Sequence, residues 1–238
     1  SQISSRHSVS IQPSCRVFSH AVVAFAITGY DGFGVIQSRP HEEWARFFGS
    51  SMKDDLRYTA SVCFENFPLP TEWPQLPEVR EYATRYYKYR ADLMIANGEG
   101  LTKTYNRFHD PHEKSLEISH LREHHDAMDR AVLEAYGWDD LAQTARCEFL
   151  LDYEEKEDGE PGVKKSKKKK PWRLRWPDDF RDEVLARLLE LNERRAKEEA
   201  LTEKAGSTAP KGNNKPNAKD DPKKAPVAGQ GKLFESEQ

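Results

Sequence analysis

Hydrophobic and polar positions change their rhythm twice along the chain. Residues 15–36, CRVFSHAVVAFAITGYDGFGVI, hold two apolar, β-rich runs around Thr28-Gly29-Tyr30-Asp31-Gly32. That pattern predicts buried strands joined by a hairpin or a short connection. Ahead of them Val9 and Ile11 alternate with Ser8 and Ser10, as in a polar strand or a lead-in segment. From Pro77 the period lengthens. Val79, Tyr82, Tyr86, Tyr89 and Leu93 recur every three or four residues, and Asn97-Gly98 closes the helix they predict. A short helix, LTKTYNRF, is broken by Asp110-Pro111. A long one runs from about Ser115 to Tyr136, with Leu121, Met128, Val132, Leu133 and Tyr136 on its apolar face. Gly137 ends it, and Trp138 is placed to fold back onto it. CEFLLDY reads as a strand. Trp172, Leu174 and Trp176 alternate as a second strand, with Arg173 and Arg175 opposite. A last helix starts near Asp178, where acidic residues suit the positive end of the helix dipole. Phe180, Val184, Leu185, Leu188 and Leu191 would dock it.

Between these regimes lies the stretch from Gly34 to Pro70. Ser38 can cap a helix and Pro40 fits its first turn, where a missing N–H costs nothing. Trp44, Phe47 and Phe48 supply its buried face, and Gly49 stops it. Ser50, Ser51, Lys53, Arg57, Tyr58 and Thr59 then gather hydrogen-bond donors in a loop over 50–59. Such a loop can hold phosphate oxygens and present side chains to base edges. It can equally be a solvated loop in which Asp54 and Asp55 pair with Lys53 and Arg57. Cys63-Phe64-Glu65-Asn66-Phe67-Pro68-Leu69-Pro70 reads as packing, with two anchored phenylalanines and two prolines that end the sheet.

Composition narrows the classes. At 238 residues and 37% hydrophobic content, with apolar residues thinning after Asn192, one domain of about 200 residues and a disordered tail fit best. The net charge of −3 carries no argument for a polyanionic partner, so charge location has to decide. Cys15, Cys63 and Cys147 are widely spaced, as reduced thiols of a cytoplasmic protein would be. The longest apolar run, AVVAFAI, is strand-length and far short of a membrane span. A chain that begins at Ser1 in strand-like sequence reads as a piece of a longer protein.

Four patterns offer chemistry and lose to simpler readings. Gly29, Gly32 and Gly34 spell G-x-x-G-x-G, not the dinucleotide fingerprint, and turn geometry explains them. His120 and His124 are spaced i, i+4 beside His125, with His109 and His112 upstream, yet no H-E-x-x-H is present and no third ligand is indicated. Glu154-Glu155-Lys156 after Asp139 and Asp140 loosely matches a nuclease box, but the acidic run continues through Glu157 and Asp158. Arg80, Arg85, Lys88 and Arg90 interleave with tyrosines as a nucleic-acid groove would, or as a packed helix with cationic stems outside.

Four blocks occur in a telling order: IQSRPHEEWARFFGSSMKDDLRYTASVCFENFPLP, LTKTYNRF, MDRAVLEAYGW and PWRLRWPDDFRDEVLARLLELN. Over residues 8–200 this order resembles the C-terminal region of restriction–modification and phage-defence adenine-N6 DNA methyltransferases. These include the bifunctional type IIG/IIL, MmeI-like enzymes. In that family the region is the target recognition domain with its following helices, and an upstream Rossmann-type domain binds S-adenosylmethionine and flips the adenine. The chain has neither an N-P-P-[YF] box nor an S-adenosylmethionine glycine motif, so the resemblance carries over no catalytic residue and no cofactor. It implies double-stranded DNA as partner, together with a methyltransferase catalytic domain in cis or as a separate subunit. Because the family binds many target sites, its shared blocks point to scaffold and DNA-backbone roles, with bases read from elsewhere.

The resulting expectation is an α+β fold: a small, mostly antiparallel sheet, several packed helices and a disordered C-terminal tail. The expected divisions are a recognition-like domain over 1–156 with a helical part at 78–137, a charged linker at 157–170, a docking strand and helix at 171–204, and a tail at 205–238. Lys53, Arg57, Lys167 and Lys168 are expected at phosphates, and Arg39, His41, Ser50, Ser51 and Tyr58 near the groove. The alternative is a split or truncated gene product that serves in assembly without DNA affinity of its own. A nuclease centred on Glu154 and Lys156 is the third reading.

Overall fold

The structure, a computed structural model, describes residues 3–4, 6–52, 55–151 and 172–207. Contacts group the chain into Ser1–Glu198 and Glu199–Gln238. Of the second unit only residues 199–207 are described, and they are helical. The expected linker at 157–170, the lysine run within it and the tail beyond 207 lie outside the described residues.

The fold is α+β. In chain order the elements are β1 (Ile3–Ser4), α1 (Tyr30–Gln37), α2 (Arg39–Phe48), β2 (Ser50–Met52), β3 (Asp55–Arg57) and α3 (Ala60–Cys63). Then follow α4 (Pro77–Asn97), α5 (Leu101–Phe108), α6 (Leu116–Ala135), α7 (Asp139–Thr144), β4 (Glu148–Leu151), β5 (Trp172–Arg175) and α8 (Asp178–Ser207). Two small antiparallel sheets form, one ordered β1-β3-β2 and the other β4-β5.

The helices built from three- and four-residue spacing stand where the pattern puts them. α4 ends on Gly98 in the left-handed region (φ 60°), and Glu99 N donates back to Met94 O at 2.9 Å. α6 ends at Gly137 (φ 76°), and the Trp138 ring stacks on Tyr136 with centroids 4.6 Å apart. β4 and β5 pair antiparallel as Phe149↔Leu174 and Leu150↔Arg173.

The N-terminal third differs from its expectation. Residues 15–29 form no strand, and the apolar run after Tyr30 is the helix α1, buried from Asp31 to Gln37. Tertiary packing overrides its β-rich composition. A Cβ built on Gly34 would lie 2.8 Å from Ala83 Cβ and 2.8 Å from Val79 Cγ1, so the missing side chain lets α1 and α4 approach closely. Asp31 in the first turn accepts from Arg80 Nη2 at 2.8 Å and binds α1 to α4 a second time. The glycine trio therefore serves helix packing as well as turn geometry.

α2 follows at once, but Ser38 does not cap it as expected. Its Oγ donates to Val35 O at 2.7 Å, and the α2 N-terminus is satisfied from α6, where Asp129 Oδ1 accepts from Arg39 N at 2.8 Å. The segment after Gly49 is the hairpin β2–β3 rather than an open loop. Cys63 and Phe67 are buried as expected, although α3 replaces the sheet end that the prolines suggested. Arg173 and Arg175 are also buried, Arg173 donating to Glu42 at 3.1 Å and Arg175 to Asp178 at 2.6 Å.

One apolar cluster gathers Val35, Trp44, Phe67, Val132, Trp176 and Leu188, and a second gathers Phe33, Tyr86, Phe108, Ile118, Leu121 and Met128. No described helix is long and apolar enough to cross a membrane. Because the α1–α4 contact leaves no room for a methyl group, Gly34→Ala is expected to destabilise the chain by about 1–3 kcal/mol, read as a lower midpoint in urea unfolding.

Candidate nucleic-acid interface

β3 is the middle strand of its sheet, and its alternation sorts the site residues. Leu56 and Tyr58 are buried, and Arg57 between them is exposed. Arg57 stands opposite Ile3 on one side and Ser50 on the other. Its side chain lies on the outward face of the sheet, and no ion pair to it forms among the described residues. Ser51 pairs with Leu56 in the ladder. Lys53, Lys167 and Lys168 lie outside the described residues.

The other expected groove residues point into the body. Arg39 is 2% exposed; its Nη1 donates to Asp129 Oδ2 and, at 2.9 Å, to Asp126 Oδ1, both on α6. His125 Nδ1 lies 3.0 Å from Asp129 Oδ2 and closes the cluster. His41 is fully buried, and its Nε2 shares a 2.8 Å hydrogen bond with the hydroxyl of Tyr58, itself 7% exposed. Burial therefore removes Arg39, His41 and Tyr58 from the side chains that can touch a duplex in this fold. The cause is the helix that carries them. α2 buries Arg39 through His41 and Glu43 through Ala45, so it serves as a core element and not as a helix presented to a groove.

Electrostatics agrees. Burial opposes charge on Glu42, but Arg46 and Arg173 hold its carboxyl well below the usual carboxylate range. Burial pushes the imidazoles of His7, His41 and His109 below their ordinary value of 6.5. His7 Nε2 donates to Ile36 O at 2.6 Å, and His109 Nδ1 accepts from Leu174 N at 3.1 Å. His7 and His109 are thus hydrogen-bonded core histidines. His120 and His124 lie beside the Tyr89 ring, and no metal-binding cluster forms among the described residues. On α4, Arg80 pairs with Asp31, Arg85 with Glu81, and Arg90 is buried, so the arginine–tyrosine interleaving largely serves packing. Glu154 and Lys156 lie outside the described residues.

What the sequence reading missed is the segment between β1 and α1. Residues 11–22 are exposed throughout, with Val17 fully so, and they adopt no helix or strand. An ordered connection of this length inside a compact unit is uncommon and most often functional. The signal was in the composition. Residues 1–30 contain no Asp or Glu, in a chain with 40 of them. Arg16, Gln12, Ser14, Ser19 and His20 are exposed along this arm. Its return limb packs beside β3, where Phe25 meets Tyr58 edge-on at 5.9 Å and Phe64 at 4.9 Å. The return limb thus packs on the inward cluster of Ala45, Leu56, Tyr58 and Cys63, and the sequence leading into it carries no acidic residue before Asp31. The arrangement offers cationic, amide and hydroxyl donors of the kind that bind a polyanion.

A comparison with known protein families falls on the same region. Residues 7–71 match the family described as MmeI, target recognition domain. That span holds the arm, α1, α2, the hairpin and the segment ending at Pro70. A solved structure of the type IIL restriction–modification enzyme MmeI in complex with DNA is similar at 20% identity and a TM-score of 0.44. The likeness covers 71% of this chain and 17% of that one. No curated protein matches.

Two outcomes follow from the burial. Tyr58→Phe leaves His41 Nε2 without its partner and is expected to cost about 1–2 kcal/mol in urea unfolding. The unfolded chain protonates His7, His41 and His109 near pH 6.5, whereas the folded chain resists. Below that pH the unfolded state binds more protons, so stability is expected to fall by up to about 1.4 kcal/mol per pH unit for each histidine. Unfolding midpoints compared at pH 7.5 and 5.5 measure it.

Proposed function

We propose that this chain, whose residues 7–71 form an MmeI-like target recognition segment, binds duplex DNA and supplies target specificity to an adenine-N6 DNA methyltransferase. The methyltransferase would belong to a restriction–modification or phage-defence system, working in the cytoplasm. Its catalytic domain would stand upstream in the same polypeptide or come as a separate subunit. The observation that carries the reading is the coincidence of the matched segment with an exposed, donor-rich arm and the exposed Arg57 of β3.

The residues divide by reach. Arg57 and, from the sequence, Lys53, Lys167 and Lys168 contact phosphates, supplying the salt-dependent part of affinity. Ser50 stands opposite Arg57 and Ser51 opposite Leu56, which makes Ser50 the nearer of the two serine candidates. Arg39, His41 and Tyr58 act indirectly: they fasten α2 beneath the sheet and keep its outward face in place. S-adenosylmethionine belongs to the catalytic partner, because this chain has no N-P-P-[YF] box and no glycine motif to hold it.

The test is duplex binding by the 238-residue chain, using a randomised pool at two salt concentrations. Enrichment of one short motif supports the reading. A folded chain with no affinity at either salt would overturn it in favour of an assembly role. Arg57→Ala is expected to weaken binding across all sequences and to lower the slope of log affinity against log salt by about 1, with stability unchanged.

A further inference from the structure

The arm is rooted without a strand partner. Residues 7–11 run past α1 and α4, and side chains take the place of a neighbouring strand. Gln37 Oε1 accepts from Val9 N at 2.8 Å, and Gln37 Nε2 donates to His7 O at 3.4 Å. Arg90 Nη2 donates to Val9 O at 2.8 Å, and Tyr87 OH to Ile11 O at 3.3 Å. The backbone is thus held at three alternate residues, in the spacing of a β ladder.

Arg90 is a demanding choice for this duty. It is 2% exposed, with its guanidinium 5.3–5.9 Å from the centroids of four aromatic rings. Tyr105 OH accepts from its Nη1 at 2.9 Å. Ring faces and the phenolic oxygen take over the role of water; among the described residues no carboxylate forms an ion pair with this cation, which gives a donor to Val9. The clamp ends at Ile11, and the exposed part of the arm begins there.

We propose that Gln37, Tyr87 and Arg90 are positioning residues that aim the arm 12–29 into a DNA groove, so that the arm rather than α2 is the reading element. This rests on the function proposed above. The acid-free composition favours nucleic acid over a protein surface, and the exposed Gln12, Arg16 and Ser19 match the donors and acceptors of base edges and phosphates. A reading loop gains specificity only when its root is fixed, because an arm free to swing loses ordering entropy on binding.

Cys15 lies exposed in the arm, whereas Cys63 is buried, so the native thiol reports on the arm directly. The experiment follows Cys15 alkylation by peptide mass with and without saturating duplex. It uses the unsubstituted chain, Tyr87→Phe, the double variant Tyr87→Phe/Arg90→Lys, and Tyr89→Phe as control. Tyr89 makes the same kind of bond from the same helix, donating to Glu117 O at 3.1 Å. The expected result is that duplex slows alkylation several-fold in the unsubstituted chain and in Tyr89→Phe. Protection then falls in Tyr87→Phe and further in the double variant, at melting temperatures close to that of the control. If Arg90→Lys prevents folding, Tyr87→Phe alone decides. Bound duplex with no protection of Cys15, or full protection in Tyr87→Phe, overturns the inference and leaves DNA binding standing. Absence of duplex binding by the unsubstituted chain overturns both.

Discussion

Burial of the charged helix α2 is the constraint on which the rest depends. Arg39, His41, Glu42 and Glu43 leave water together, and a buried charge is tolerable only with partners in place. Those partners come from distant parts of the chain. Asp126 and Asp129 on α6 serve Arg39, and Arg173 on β5 serves Glu42. Asp129 also accepts the first free N–H of α2, so one carboxylate binds both a side chain and a helix end. The segment at 7–71 therefore depends for its folding on residues well beyond it.

That dependence links packing to the candidate interface. With α2 fixed beneath it, the sheet can turn Leu56 and Tyr58 inward and leave Arg57 outward. Phe25 closes against Tyr58 and Phe64, which returns the arm to the buried cluster under β3. Core charges and surface donors thus differ in surroundings: the first set holds the platform together, and the second lies open to solvent. The polar character of both sets makes them look alike in sequence.

Much of the architecture was legible in the sequence, and the reasons are local. The spacing of Val79, Tyr86 and Leu93, and of Leu121, Met128 and Val132, is a property of one helix face. Gly98 and Gly137 end helices through backbone conformations that glycine adopts without strain. The alternation of Trp172, Leu174 and Trp176 marks a strand for the same reason. The ordered blocks also placed the recognition segment, which the family match at 7–71 bears out.

The tertiary structure decided what each residue faces. Tyr30–Gln37 has strand-like composition and is a helix because Gly34 lets it lie against Val79 and Ala83 on α4, a contact between residues far apart in the chain. Arg39, His41 and Tyr58 have the chemistry of DNA contacts and became core groups once α6 and α2 supplied partners. Conversely, the run from Cys15 to Ala24, apolar enough to read as a buried strand, has residues 15–22 in solvent, because side chains hold its root and no described strand pairs with it. By itself the sequence determined where helices start and stop, since that is settled within a few turns of backbone. Which side chains are inside depends on neighbours brought together only by the fold.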